Sequence, residues 1–263
     1  MRHRRSCRIS RRFIRVWQRN LTVYRRTWKV NFLPPLLEPL LYLLAFGVGL
    51  SALVGSVPYR GEAVSYLVFI APSLLAVNMM YNAFFETSYS SFVRMYYQKT
   101  FDAMLATPLN LEEIITGEIA WAATKALIGT VLMLLVISLF GLVRYPEGLL
   151  LLPLALLGGV AFGSIGMVFT SIVPNIETFN IPIFVFITPM FLFSGTFFPL
   201  ENLPPWAGVL AQVLPLTHLV ALARSCTMGD LHAGLLWNAA YLLAFCAIFF
   251  PLALVRMRRR LIK

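Results

Sequence analysis

Residues 194–224, SGTFFPLENLPPWAGVLAQVLPLTHLVALAR, constrain this chain more than any other stretch. The segment is apolar enough to enter a bilayer, yet prolines at 199, 204, 205 and 215 interrupt it. Proline removes an amide donor and clashes with the preceding turn, and the backbone groups so freed find no partners in lipid. Such backbone persists at membrane depth only where it is buried in protein or lines a wet cavity. A plain spanning helix is excluded here, and a working part of a membrane protein is expected.

The rest of the chain agrees with a membrane setting. Of 263 residues, 59% are hydrophobic and 13% charged, against about a quarter charged in soluble domains. The net charge of +11 is concentrated at the ends. Eleven of the 22 Lys and Arg residues lie in Arg2–Lys29 and five in Arg256–Lys263, leaving Arg60, Arg94, Lys99, Lys125, Arg144 and Arg224 between them. Two basic ends around an apolar body predict both termini in the cytoplasm. A nucleic-acid partner would require a soluble basic face with base-reading motifs, and the sequence has none. Cys7, Cys226 and Cys246 are scattered and read as free thiols, with no metal or disulfide framework. Ser10-Arg11-Arg12-Phe13 has the look of an export signal. The basic residues that continue through Lys29 exclude a cleaved leader.

Phe13, Trp17, Leu21, Tyr24 and Trp28 recur at helical spacing, with Arg12, Arg15, Arg19 and Arg26 on other faces. The pattern predicts an amphipathic helix lying flat at the membrane surface. Six spanning segments follow, at Pro35–Val57, Ala63–Phe85, Ile119–Val143, Leu149–Val173, Phe179–Phe198 and Leu235–Val255. Counting Trp206–Ala223 as a seventh would separate the two basic ends, and Pro215 interrupts it. The expected fold is therefore all-α: one membrane domain over 1–263, six transmembrane helices, an interfacial N-terminal part (1–31), a basic tail (256–263), and a re-entrant segment (199–225) between the fifth and sixth helices. The two halves show no sequence match, against an inverted-repeat transporter.

The longest polar connection, 94–118, contains FDAMLATPLNLEEIITGE. Thr100–Ala106 suits a short helix, Pro108 stops it, and Asn110 can cap a second helix at Leu111. A solvated turn is the plainer reading. Two helical pieces exceed what a turn requires, so a docking element is favoured, with Phe101, Met104 and Leu105 as apolar anchors and acidic character from Asp102, Glu112, Glu113 and Glu118.

Glu38, Glu86, Glu118 and Lys125 lie near or inside the spans, where a charge must face protein or water. Glu38 can pair with an N-terminal arginine, and Glu118 and Lys125 can share a helix face as an anchor pair. They do not form the deep carboxylate series of a proton relay. Aromatics cluster at Tyr81, Phe84, Phe85, Tyr89 and Phe92, and again at Phe184, Phe186, Phe191, Phe193, Phe197 and Phe198. Packing is the plainer reading, and a path for sugar rings or acyl chains the functional one. Gly159, Gly163 and Gly166 mark close helix packing. Neither a P-loop nor HExxH is present, and Gly163-Ser164-Ile165-Gly166 has the wrong order for a rhomboid-type protease.

These features converge on a known pattern. Phe193-Ser194-Gly195-Thr196-Phe197-Phe198-Pro199, then Leu203-Pro204, Leu214-Pro215-Leu216-Thr217-His218 and Arg224, resemble the C-terminal signature of ABC-2 exporter permeases. The likeness spans nearly the whole chain. In YLVFIAPSLLAVNMMYNAFFETSYSSFVRM and FDAMLATPL it extends to the nodulation subfamily, whose permeases pair with a nodulation protein I ATPase. The resemblance implies that Phe101, Asp102, Met104, Leu105, Pro108 and Glu118 receive motion from a cytoplasmic ATPase. It gives Ser194, Gly195, Phe197, Phe198, Pro199, Pro204, Pro215, His218 and Arg224 to an outer gate. It also implies a permease homodimer in the bacterial inner membrane, ATP bound by the partner with no cofactor in this chain, and an acylated oligosaccharide as cargo. An ABC-2 exporter of another polysaccharide or drug is the alternative within the family, a secondary transporter needing no ATPase is the alternative from another class, and a membrane enzyme is more distant.

Overall fold

The computed structural model describes residues 10–29, 37, 40–50, 54–202 and 204–262. The expected pairing of Glu38 with an arginine lies outside them. The described chain is a helix bundle with one short hairpin. Helix α1 (Phe13–Arg26) is followed by wide helical turns at Leu43–Leu50. Strands β1 (Ser56–Tyr59) and β2 (Glu62–Ser65) then pair antiparallel, with Val57 opposite Val64. This hairpin is the one β element the sequence reading missed. It joins the first two expected spans and takes in the end of one and the start of the other, with Arg60 and Gly61 in left-handed conformations at its tip.

Helix α2 (Tyr66–Phe85) continues through two wide π turns, Glu86–Ser90 and Val93–Tyr97, as one 32-residue helix. The short α3 (Thr100–Leu105) precedes the long α4 (Leu111–Leu139). Next come α5 (Leu151–Ile172, entered by a turn from Glu147) and the apolar helical stretch α6 (Glu177–Phe193). Helices α7 (Pro205–Val213) and α8 (Pro215–Met228) precede α9 (Leu235–Leu261).

Among the described residues, four helices are long and apolar enough to cross a membrane: Tyr66–Tyr97, Leu111–Leu139, Glu147–Ile172 and Leu235–Leu261. Helices α7 and α8 are bent by 86° and together make a broken span or a re-entrant loop. Two boundaries differ from expectation. Helix α2 runs 12 residues past Phe85, and α4 starts eight residues before Ile119. The polar connection therefore shrinks to about 98–110, because the charges at 86, 94 and 118 find partners across α2 and α4 and need not leave the helices.

The core lies where α2, α4 and α5 meet, with Phe69, Phe84, Ile137 and Phe162 fully buried. Close approach rests on small residues: a Cβ on Gly159 would stand 2.5 Å from the Ala123 Cα, and one on Gly166 would stand 2.3 Å from the Thr87 hydroxyl. The expected packing stripe is thus real, and it seats α5 on both α4 and α2. Many of the aromatics also pack. Tyr81 and Phe197 contact Phe191, while Tyr89 and Phe92 contact Phe179. Phe184 and Phe198 remain exposed.

Both basic ends of the chain meet at one end of the bundle. Ser10 donates to Glu113, Arg12 donates to the Pro108 carbonyl at 2.8 Å, and Arg258 lies 3.3 Å from Glu112. Arg260 donates to the carbonyls of Thr170 and Val173. The hairpin, the Gly141–Leu150 turn and the α6–α8 connection form the opposite end, where the Arg144 amide donates to Thr227.

Candidate functional site

At the basic end, α3 projects between α2 and α4 on a defined root. Lys99 adopts a left-handed conformation that turns the chain into α3. Glu113 accepts a hydrogen bond from the Asn110 amide at 2.9 Å, which fixes the start of α4 as the sequence predicts. Phe101 is fully buried in a cluster with Phe92, Met95, Ile114 and Ile115. It anchors α3 to its own chain, and Met104 and Leu105 pack against the same cluster. Met104 and Leu105 are half-buried, while Asp102 and Pro108 are exposed and form the tip.

Behind this tip lies a buried chain of charges. Lys125 is 2.9 Å from Glu86, Glu86 is 2.7 Å from Arg94, and Arg94 pairs with Glu118. Ser91 donates to Glu118 at 2.6 Å, and Asn20 of α1 donates to its other oxygen at 2.9 Å. Glu118 is thus wholly enclosed and offers no surface. It couples α1, α2 and α4 to one another. Glu118 and Lys125 do share a helix face, but they connect through Glu86 and Arg94 and not as a pair of their own. The two π turns of α2 put Glu86, Ser91 and Arg94 on one side, and this partnership has no signature in ordinary 3.6-residue spacing.

Helix α1 is clamped onto α4 rather than laid free on a surface. Val16 and Asn20 are buried, Trp17 donates to the Thr124 hydroxyl at 2.8 Å, and Trp17 and Tyr24 meet Trp121 edge to face. Gly117 makes this possible, since a Cβ there would lie 2.6 Å from that of Val16. The aromatic stripe read from the sequence therefore turns partly inward. Burial pushes the Arg19 guanidinium below its ordinary value against the opposing pull of Glu118, and raises the Tyr24 phenol. A cavity of about 390 Å³ opens beside the clamp, lined by Arg19, Tyr24, Glu86, Arg94, Trp121 and Lys125.

At the opposite end, Arg224 of α8 ties the signature together. Its guanidinium donates to the Phe69 carbonyl at 3.3 Å, to the Gly195 carbonyl at 2.9 Å and to the Ser73 hydroxyl. It also lies 3.8 Å from the Phe69 ring centroid and 5.3 Å from that of Tyr59. Gly195 sits at φ 71°, a left-handed turn that aims this carbonyl and that a side chain would strain. Pro205 and Pro215 each occupy the first turn of a helix, where no amide donor is missed. The prolines thus start helices at new angles, Pro204 immediately before one of them. Pro199 lies buried at the bend, Phe197 packs on Phe46 and Phe191, and Ser194 is buried.

His218 Nδ1 lies 2.7 Å from Asn238 Oδ1 and Nε2 lies 2.9 Å from the Gln212 carbonyl, with its ring stacked on Tyr241. It therefore joins α7, α8 and α9. Among the described residues no group of His, Cys, Asp or Glu can hold a metal ion, and Cys226 and Cys246 are free thiols.

The sequence profile of the ABC-2 type transporter family matches residues 11–228. Similar proteins include nodulation protein J of Rhizobium leguminosarum bv. trifolii, 37% identical with 97% of this chain and 95% of that protein covered. Nodulation protein J of Sinorhizobium fredii is 34% identical over 95% and 94%. The Escherichia coli inner membrane transport permease YadH is 26% identical over 89% and 90%. With a profile that takes in both the α3 tip and the Arg224 signature, this chain belongs to the ABC-2 type transporter family, whose members are the membrane subunits of transporters.

Proposed function

We propose that this chain is the membrane subunit of an ABC exporter that moves an acylated oligosaccharide, of the lipo-chitooligosaccharide type, across a bacterial inner membrane. ATP is bound and hydrolysed in a separate cytoplasmic ATPase similar to nodulation protein I, and two copies of this chain make the permease. The observation that carries the reading is the α3 tip: an exposed Asp102–Pro108 edge rooted by Phe101 and backed by a charge network reaching three helices. A push on such a tip displaces α1, α2 and α4 together, which is what a subunit driven from outside requires. The similarity to nodulation protein J supports the cargo.

The proposed topology has six crossings, with Phe179–Phe198 and the expected segment Pro35–Val57, which lies partly outside the described residues and whose last two residues belong to β1, added to the four long helices, and the bent α7–α8 pair re-entering from the outer side. Both ends of the described chain lie at one end of the bundle, and an even number of crossings meets that condition.

Co-expression with the cognate ATPase tests the coupling assignment. Asp102→Lys reverses charge at an exposed position and is expected to weaken co-purification at least about tenfold, a change of about 1.4 kcal/mol, while leaving membrane insertion intact. Wild-type recovery of the ATPase would remove α3 from the interface.

A further inference from the structure

The cavity beside the α1 clamp holds charges that its own walls do not balance. It runs between α1 and the π-turned end of α2, with Trp121 and Lys125 of α4 as its floor and a volume of about 390 Å³. Three cations stand there, Arg19, Arg94 and Lys125, against two carboxylates, Glu86 in the wall and Glu118 behind it. Arg94 is taken up by both carboxylates, and Lys125 uses one of its three N–H donors on Glu86. Arg19 has no carboxylate partner among the described residues; its one hydrogen bond there, at 2.9 Å, goes to the neutral Asn20 amide oxygen. One positive charge is therefore left over, on a half-buried guanidinium.

That imbalance decides the class of ligand. A partly buried cation without a counter-charge carries a desolvation cost that a bound anion offsets. The two groups free to meet an anion are a guanidinium fork and an ammonium with two open donors, and both are binders of phosphate oxygens. An inorganic ion would fill only part of the space, since the volume equals the liquid share of about 13 waters. Much of the remaining lining is apolar or aromatic, from Val23, Val93, Ile176, Tyr24 and Tyr89. Val23 is exposed as well as lining the cavity, so hydrocarbon flanks its mouth. Tyrosine and tryptophan beside basic residues suit the membrane–water boundary, where basic pockets between helices hold anionic headgroups. A zwitterionic headgroup would bring its own ammonium toward Arg94 and Lys125, and gains less than a singly negative one.

From this geometry we infer that the cleft between α1 and α2 binds the phosphate of an anionic glycerophospholipid, with Arg19 and Lys125 on the phosphate and Val23 and Val93 along the start of the acyl chains. The inference needs the membrane setting of the chain, and neither the cargo nor the ATPase of the export reading.

Native mass spectrometry of the full chain in detergent tests it, with dioleoyl phosphatidylglycerol, dioleoyl phosphatidylcholine, glycerol phosphate and sodium phosphate as probes. Phosphatidylglycerol is expected to bind about tenfold more tightly than phosphatidylcholine, equivalent to about 1.4 kcal/mol. Arg19→Gln removes the unbalanced charge, and Val23→Glu places a carboxylate at the exposed mouth; each should abolish the preference. Neither residue belongs to a buried ion pair, so both variants should keep the wild-type unfolding midpoint. Arg15→Gln, exposed on the same helix and outside the cleft, should keep the preference. Equal binding of the two lipids, a preference that survives either cleft variant, or its equal loss in Arg15→Gln would overturn the site. Displacement of the lipid by either soluble phosphate at matched concentration would overturn it too, by making the cleft a site for a free ion.

Discussion

The charges between α2 and α4 are unequal in their burdens. Arg94 touches two buried carboxylates, whereas Lys125 touches Glu86 alone and is more exposed. Removing one partner of a buried pair strands the other charge, at a cost of about 3–5 kcal/mol. Arg94→Met should therefore lower the unfolding midpoint in detergent well below that of Lys125→Met. Equal losses would mean that the network does not hold the helices as described. The same logic applies to Arg224, whose planar fork serves three acceptors, two on α2 and one at Gly195. A lysine supplies the charge but not the fork. Arg224→Lys is expected to destabilise by about 2–4 kcal/mol, read as loss of thermal stability, and a wild-type midpoint would reduce this residue to a surface charge. Charge at 118 and 125 and an arginine in the signature were legible in the sequence. Their partners were not, since Glu86, Arg94, Phe69 and Gly195 are distant in the chain.

At the scale of the element, α1 and α4 act as one unit. The contact depends on the missing side chain of Gly117, on Val16, and on hydrogen bonds from Trp17 and Asn20. Gly117→Leu would force the helices apart. The expected outcome is an α1 released to limited proteolysis after Arg15 or Arg19 in a protein whose bundle remains protected, and an α1 that stays protected would show that the clamp lies elsewhere. The amphipathic period of α1 was visible beforehand, because it is a property of successive residues. Which side faces protein was not, because aromatic residues suit a lipid interface and the Trp121 surface equally well. The short helix α3 and the cap of α4 at Asn110 were likewise legible from local chemistry, while the inward turn of Phe101 followed from packing against α2 and α4.

For the whole molecule, topology is the quantity to measure. Helix α9 is only 17% buried across its apolar window, so most of its surface is left to lipid or to a second copy. In the six-crossing arrangement Thr107 faces the cytoplasm and Glu201 the outside. A cysteine placed at Glu201 should react with a membrane-impermeant maleimide in intact spheroplasts, in a background lacking Cys7, Cys226 and Cys246. A cysteine at Thr107 should react only after permeabilisation. Labelling of both from one side would refute the arrangement.

The sequence by itself determined that this chain lives in a membrane, that its basic charge gathers at the two ends, and that 194–224 cannot form one unbroken helix. Those features follow from hydropathy, charge placement and proline geometry, which are local and survive any packing. The tertiary structure alone decided that Glu118 is enclosed, that Phe101 looks inward, and that Arg224 closes over Phe69 and Gly195. Partner choice across helices depends on how far each helix is rotated. In α2 two π turns set that rotation, and the spacing of apolar residues does not record it. The broken segment was thus predictable as broken, and only the tertiary structure set its Arg224 against the Phe69 carbonyl and ring of α2.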